Sequence, residues 1–138
     1  MSSRIIECKK LTNNKWLNLF NIKGKNLLIV DDSIRRGTQT KNIVYVLKAL
    51  GAKSIHLRIG SPPQTNICPF TKARDKKEDL AITKLKAKTI EEFIEKETKY
   101  LNVESLDFIE MDAFFDCFND EETGFKISRE DLCGYCYN

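Results

Sequence analysis

The sequence predicts an α/β fold with a parallel β-sheet, in a single domain that spans all 138 residues. Three features predict it. The run from Leu27 to Val30 is continuously apolar and too short for a helix, which is typical of a strand buried on both faces of a parallel sheet. Residues 38–50 then carry apolar side chains at helical spacing, and residues 54–59 alternate in the rhythm of a strand. Strand, helix and strand make one βαβ unit, which places the core at about residues 26–60.

Turn and cap signals bound these elements. The sequence around Gly24, with a lysine on each side, predicts a turn before the first strand. Thr38 is the predicted N-cap of the helix, and Gly51 stands where a helix-ending glycine belongs. Ahead of the turn, residues 5–8 are predicted to form another short strand.

The second part of the chain, at about residues 78–138, is predicted to hold helices and a cysteine-containing tail. Residues 72–88 are highly charged, which indicates an exposed loop or helix. Thr89 and Glu92 form a capping box, so a helix is predicted from Ile90 to Tyr100. The remaining predictions are a short strand at residues 106–109, a short helix at 111–118 and a tail at 119–138 without a clear period.

Composition indicates a soluble, cytoplasmic protein. Hydrophobic residues make up 41% of the chain and charged residues 31%. No apolar run approaches the ~20 residues that a membrane span needs, and residues 1–10 lack the apolar segment of a signal peptide. We therefore expect no membrane partner. In a reducing cytosol, the five cysteines are expected to be buried or metal-bound rather than joined in disulfides.

Charge is distributed unevenly along the chain. Residues 1–60 hold twelve Lys or Arg and three Asp or Glu, whereas residues 104–138 hold two and ten. A basic amino-terminal half suits an anionic ligand such as a phosphate ester. Attraction between the two halves, or to a partner, is the alternative. Nucleic acid is not expected as a partner, because the basic residues are scattered and not interleaved with aromatic ones.

The most informative stretch is the loop after the first strand. The strand should deliver Asp31 and Asp32 to the carboxyl edge of the sheet, where ligands bind in open α/β folds. The loop then enters a helix whose amino-terminal N–H groups favour an anion, and Gly37 permits a positive φ or a close approach to a ligand. The hydroxyls that can donate to phosphate oxygens belong to Ser33, Thr38 and Thr40.

The two adjacent carboxylates define the other end of the ligand. They would repel a phosphate aimed at them, so Asp31 and Asp32 make better acceptors for two neighbouring sugar hydroxyls, with a divalent cation nearby as an option. A molecule with a phosphate at one end and a vicinal diol at the other, such as ribose 5-phosphate, fits this loop. The alternative is a surface turn with an Asx cap. The whole string, with four apolar residues before it and Gly-Thr after it, is much more specific than the Asp-Asp-Ser triplet alone.

This string resembles the phosphoribosyl pyrophosphate signature of type I phosphoribosyltransferases. Residues 30–34 and 36–38 are similar to the amidophosphoribosyltransferases of purine biosynthesis. The resemblance continues through residues 56–63, which end in Ser-Pro-Pro, and covers roughly residues 20–136. It implies a partial type I phosphoribosyltransferase fold, Rossmann-like, from the carboxy-terminal part of that domain.

The resemblance also implies residue roles. Asp31 and Asp32 would contact the ribose 2′ and 3′ hydroxyls, with Mg²⁺ near them and bound indirectly. Arg35 stands where the family usually has a small apolar residue, and Gln39 where it has Thr or Ser. The 5′-phosphate would be held mainly by backbone N–H groups and two threonine hydroxyls, within the set Ser33, Ile34, Arg35, Arg36, Gly37, Thr38, Gln39 and Thr40.

The family reaction is a pentosyl transfer in which ammonia from glutamine replaces the pyrophosphate of phosphoribosyl pyrophosphate. In the family, the pyrophosphate loops and the glutaminase domain lie upstream, and the glutaminase cysteine at the mature amino-terminus has no match in Met1, Ser2 and Ser3. We therefore expect no glutamine hydrolysis. Glycosyl transfer is expected only with the missing upstream segments or with a partner chain that supplies the missing half of the domain. A homo-oligomer is the alternative assembly. A non-catalytic phosphoribosyl or nucleotide regulator and a cysteine–metal remnant are the alternatives.

The cysteines near the carboxyl end form a C-x-x-C motif, Cys133 to Cys136, which alone is a weak signal. Some amidophosphoribosyltransferases bind a four-cysteine [4Fe-4S] cluster, and the resemblance matches Cys68, Cys133 and Cys136 to three of its ligands. The fourth family ligand lies upstream. Substitution by Cys8 or Cys117 is an alternative, although neither stands at a matching position. Such thiolates suit zinc or an iron–sulfur cluster, and ordinary burial is the alternative.

Overall fold

The computed structural model describes residues 22–70, 76–119, 124 and 126–137, and this part of the chain forms a three-stranded parallel sheet in the order β1-β2-β3. The strands are β1 Asn26–Asp31, β2 Ser54–Ile59 and β3 Ser105–Phe108. The helices are α1 Thr38–Ala49, α2 Ala81–Lys84, α3 Ile90–Leu101 and α4 Met111–Asp116, with 3₁₀ turns at Lys77–Asp79, Arg129–Asp131 and Tyr135–Tyr137. The predicted α/β class and parallel sheet are confirmed. The strand predicted at residues 5–8 lies outside the described residues.

The predicted βαβ unit is the centre of the fold. β1 and β2 run parallel in a register that pairs Leu27 with Ile55 and Asp31 with Ile59. The predicted turn before β1 is present, with Gly24 at φ 73° and the Lys25 N–H donating to the Ile22 carbonyl at 3.0 Å. The carboxyl ends of β1 and β2 therefore lie at one edge of the sheet.

The helices pack on one face of the sheet only, within the part of the chain that the structure describes. The shared core combines alternate strand residues with residues of α1 and α3, among them Leu27, Val44, Ile55, Leu57, Phe93, Leu101 and Leu106. The prediction that β1 is buried on both faces is wrong for these residues, since Leu28 is 47% exposed and Val30 is 74% exposed. Burial on the second face requires a covering layer that the described helices do not provide.

The second face is mainly polar on the other two strands. His56 Nδ1 lies 2.9 Å from Ser105 Oγ, and Arg58 donates to that same hydroxyl at 3.0 Å. Arg58 also forms an ion pair with Asp107 at 3.3 Å. The one histidine of the chain is thus held in a hydrogen-bond network on the sheet, away from the core face.

Glycines rather than hydroxyl side chains bound α1. The N-cap is Gly37 at φ 72°, and no side chain caps the helix, so the prediction of Thr38 as the cap is wrong. Thr38 is instead the first helical residue. The residue before it has a left-handed backbone conformation, which favours glycine, and Gly37 therefore takes the N-cap position. Gly51 ends the helix as predicted, with φ 84° and its N–H donating to the Lys48 carbonyl at 2.9 Å.

Thr89 caps α3 as predicted, but the capping box is only half formed, because the Glu92 carboxylate returns to the N–H of Lys88 and not to that of Thr89. The Thr89 hydroxyl accepts from the Glu92 N–H at 3.1 Å, and the Glu92 carboxylate accepts from the Lys88 N–H at 2.7 Å. The helix runs one residue beyond the prediction and ends at Leu101, and the C-cap Asn102 is left-handed at φ 58°. The predicted strand at 106–109 is β3, shifted by one residue, and the predicted helix at 111–118 is the shorter α4.

The charged segment before α3 is less exposed than predicted. Leu80 and Ala81 are buried, and Ala81 belongs to the core. No helix in the described part of the chain has the length and apolar character to cross a bilayer.

Candidate functional site

The two carboxylates leave β1 together at the carboxyl edge of the sheet. Asp31 is the last residue of the strand, and its carbonyl accepts from the Gly60 N–H at 2.9 Å. Its side chain turns back to accept from the Asp32 N–H at 3.0 Å, while Ser33 Oγ lies 3.4 Å from the Asp32 carboxylate. Asp31 is half-buried and Asp32 is exposed, so an oxygen of each can meet a ligand from solvent.

Two buried side chains anchor the loop that follows. Ile34 is buried within the core, and Thr40 is buried in the first turn of α1. Between these anchors, Arg36, Thr38 and Gln39 are exposed. These three side chains face solvent, whereas Gly37 between them is buried, and both ends of the loop are fixed to the body of the domain.

The amino-terminus of α1 is well suited to an anion. The first N–H groups of an α-helix have no acceptor within the helix, and its dipole places partial positive charge there. The first turn of α1 contains no acidic residue and no side chain caps it. An anion that reached Gly37 and Thr38 would meet these donors with no competing cap from the chain's own loop.

A brace from the segment before α3 holds the loop from behind. The Arg35 carbonyl accepts from the Ala81 N–H at 2.8 Å, at the first residue of α2. Arg36 and Asp79 form an exposed ion pair at 3.7 Å, which contributes little energy but favours the same arrangement. A hydrogen bond from the Lys76 backbone, with Arg36 as a smaller cause, lowers the pKa of Asp79. The interpretation of residues 72–88 as a solvated face missed this brace, although the apolar pair at 80–81 within a charged stretch was a usable signal.

A buried carboxyl group lies directly beneath Gly37. Glu97 of α3 is 0% exposed, and a methyl group added to Gly37 would lie 2.5 Å from its Oε1 atom. The same methyl group would lie 3.6 Å from the ring of Tyr100, over which the Lys41 ammonium sits at 3.7 Å. Burial raises the pKa of Glu97 to about 7, against the opposing effect of Lys41 and Lys84.

Sequence reasoning missed Glu97, although a signal was present. Phe93, Glu97 and Leu101 follow one another at intervals of four and are all buried on one side of α3. A carboxylate between two core positions on the same helical stripe should have been recognised as buried.

The carboxy-terminal tail docks on the loop that follows β2. The Cys136 carbonyl accepts from the Thr65 N–H at 2.9 Å and from the Asn66 N–H at 3.1 Å. Burial raises the pKa of Tyr137, whose hydroxyl is also hydrogen-bonded to Ser61. This docking brings the carboxyl end of the chain beside the Ser-Pro-Pro segment at the end of β2.

The same docking brings three cysteines near one another. Burial raises the pKa of the Cys136 thiol, and a hydrogen bond to Cys68 and the neighbouring charge of Cys133 act in the same direction, while Arg35 opposes them. Three sulfur donors fit the chemistry of a thiolate metal site. The described residues nevertheless contain no group of three or more ligands arranged to hold a metal ion.

Of the other two cysteines, Cys117 alone belongs to the described residues. Cys117 is exposed and donates to the Ala113 carbonyl at 3.1 Å, and it is not among the groups that act on the Cys136 thiol. Cys8 lies outside the described residues.

Comparison with solved structures gives the class of the fold. No protein-family model matches the chain. The glutamine phosphoribosylpyrophosphate (PRPP) amidotransferase from B. subtilis, solved in complex with ADP and GMP, superposes with a TM-score of 0.67 at 23% identity, over 87% of this chain and 24% of that one. A structure described as the allosteric regulatory enzyme of purine biosynthesis gives the same TM-score at 24% identity, with the same coverage. The chain therefore has a partial phosphoribosyltransferase fold of the kind found in PRPP amidotransferases.

Sequence relatives give the family. Amidophosphoribosyltransferase from Synechocystis sp. is 36% identical over 117 residues, which are 85% of this chain and 21% of that protein. The chloroplastic enzyme of Vigna aconitifolia is 32% identical over 84% of the chain and 20% of its own length. The Methanothermobacter thermautotrophicus enzyme is 30% identical over 83% and 21%. The chain is a homologue of the amidophosphoribosyltransferases, and it spans about one fifth of the length of these relatives.

Proposed function

We propose that the chain binds phosphoribosyl pyrophosphate or a ribonucleoside 5′-monophosphate in the loop from Asp31 to Thr40. The observation that carries this proposal is the placement of two carboxylates and an uncapped helix amino-terminus at opposite ends of one loop, with Thr38 exposed at the helix end. Homology to amidophosphoribosyltransferases supports it. The B. subtilis amidotransferase was solved with two nucleotides, ADP and GMP, which supports a ligand of the same class.

In this proposal the carboxylates accept hydrogen bonds from the ribose 2′ and 3′ hydroxyls. Mg²⁺, when carried by the pyrophosphate ligand, would lie near Asp31 and Asp32 without direct coordination by them. The 5′-phosphate accepts from backbone N–H groups at the head of α1 and from the exposed Thr38 hydroxyl. Thr40 is buried, so its contribution comes mainly through its N–H group.

We further propose that the chain takes part in glycosyl transfer of the amidophosphoribosyltransferase type, in purine nucleotide biosynthesis in the cytoplasm. Stabilising the pyrophosphate leaving group needs donors beyond the loop described above. Because the chain corresponds to about one fifth of its relatives, we propose that those donors come from another segment or chain. If the chain binds phosphoribosyl pyrophosphate but no added segment or partner chain gives turnover, a regulatory role is favoured instead.

Replacing both carboxylates by amides is expected to weaken the binding of ribose 5-phosphate, measured by titration calorimetry. Hydrogen bonds to charged groups contribute about 1.5–3 kcal/mol each, so Asp31→Asn with Asp32→Asn should lower affinity at least roughly tenfold. The control is Asp107→Asn, the same substitution on the other face of the sheet, where Asp107 pairs with Arg58. Affinity equal to that of the unmodified chain in the double variant would count against the assigned roles.

We also propose that Cys68, Cys133 and Cys136 supply three thiolates to zinc or an iron–sulfur cluster, with a fourth ligand from outside the described residues. The proximity of these thiols at the docked tail supports this proposal.

For the cysteine proposal, we expect anaerobically reconstituted protein to bind zinc or iron, measured by elemental analysis. Changing Cys68, Cys133 or Cys136 to serine should remove most of the bound metal. Cys117→Ser is the matched control and should leave metal content unchanged, because that thiol donates to the Ala113 carbonyl and is not among the groups that act on the Cys136 thiol. Equal metal content in all four variants would refute the proposal.

A further inference from the structure

Glu97 is a buried carboxyl group that the proposed ligand contacts leave unused. It is 0% exposed, and neither of its oxygens has a hydrogen-bond partner among the described residues. A buried carboxylate without hydrogen bonds is costly, because water that would solvate it has been removed. Its position is therefore informative: it faces the backbone of Gly37, the residue that turns the loop into α1.

The charges around Glu97 come from both helices that pack against α3. Lys41 of α1 and Lys84 of α2 are close enough to favour its ionised form. On α3 itself, the Tyr100 ring closes the space beside Gly37, with the Lys41 ammonium over that ring. From β3, Asp107 faces the opposite side of the sheet, where it pairs with Arg58. The two lysines and the amino-terminus of α1 thus stabilise one negative charge beneath Gly37, that of the ionised Glu97.

A bound phosphate would compete with an ionised Glu97 for the same stabilisation. The two anions would lie on opposite sides of Gly37, in a region shielded from water on the Glu97 side. Like charges at short range disfavour each other more strongly where solvent is excluded. Protonation of Glu97 removes the repulsion and leaves the helix terminus to the ligand.

We propose that a phosphate ester binds to this loop together with one proton, which is taken up by Glu97. Glu97 is then a positioning residue of the anion site, acting through Gly37 rather than by touching the ligand. This inference rests on the proposed function. Burial raises the pKa of Glu97 to about 7, so the coupling falls in the range where the group changes charge.

The test compares the affinity for ribose 5-phosphate between pH 6 and pH 8 in the unmodified chain and in Glu97→Gln. The phosphate of the probe titrates identically in both experiments, so the ratio of the two affinities isolates Glu97. Between pH 6 and pH 8 the unmodified chain should lose roughly fivefold more affinity than Glu97→Gln, which corresponds to a pKa raised by about one unit on binding. Glu95→Gln, on the exposed side of the same helix, should behave like the unmodified chain.

The outcomes separate this inference from the function beneath it. If both proteins bind the probe with a pH-independent ratio, the inference is overturned and the proposed function stands. If neither binds at any pH, both are overturned. Should Glu97→Gln fail to fold, carbon-13 NMR of the Glu97 carboxyl in the unmodified chain decides instead. The midpoint of the pH titration of that carboxyl signal must move to higher pH when ribose 5-phosphate is added. An unchanged midpoint overturns the inference.

Discussion

Gly37→Ala should lower the free energy of unfolding by about 3 kcal/mol, measured by denaturant unfolding. Alanine at φ 72° is strained by about 1–2 kcal/mol. Its methyl group would also lie 2.5 Å from Glu97 Oε1, and displacing a buried side chain costs about 1–3 kcal/mol more. Binding of ribose 5-phosphate should be lost as well, because the head of α1 must move.

Gly24→Ala is the matched control for this substitution. Gly24 has φ 73°, nearly the same as Gly37, but a methyl group there meets nothing within 4 Å. It should therefore show the backbone strain alone. In a Glu97→Ala background the cost of Gly37→Ala should fall to that of Gly24→Ala, since the atom in the way is gone. Equal costs for both glycines in the unmodified background would show that Glu97 does not press on Gly37.

The second large effect is a loss of stability as pH rises from about 4.5 to above 7. The pKa of Glu97 is raised from its ordinary value of 4.5 to about 7 by burial, so the folded chain holds a proton that the unfolded chain releases. Its contribution to stability is fully present below pH 4.5 and is lost as pH rises through about 7. A rise of this size corresponds to about 3 kcal/mol.

Glu97→Gln should flatten that profile between pH 5 and pH 8, measured as the free energy of unfolding at each pH. Glu95→Gln is the control on the same helix, where an exposed ion pair with Lys99 lowers the pKa of Glu95. That group acts in the opposite sense and at lower pH, so its removal should leave the fall between pH 5 and pH 8 in place. A parallel fall in the Glu97→Gln protein would assign the effect to another group.

The elements of this fold could be predicted because each is encoded locally. β1 and β2 follow from apolar runs, and the start of α3 follows from the Thr89 cap. The exposure of Val30 could not be predicted in this way. An apolar run indicates that both faces of a strand can be buried. Which elements bury them depends on distant parts of the chain.

In the candidate site, too, the locally encoded features could be predicted and the long-range contacts could not. The residues from Asp31 to Thr40 are contiguous, so their composition alone was enough to predict the loop. The brace at Ala81 and the buried Glu97 come from distant segments, and only the tertiary arrangement brings them to Arg35 and Gly37. The cap of α1 was misassigned because a hydroxyl beside a glycine is a common cap, and the left-handed turn favoured the glycine here.

β1 is an edge strand within the described part of the chain, and it pairs with β2 alone. A strand that joined this edge in parallel orientation would end beside Asp31, and the loop leaving that strand would lie next to the proposed ligand. Recruitment of such a strand and capture of the sugar phosphate would then be one linked equilibrium. Each would tighten the other, and apparent affinity for the small molecule would depend on protein concentration.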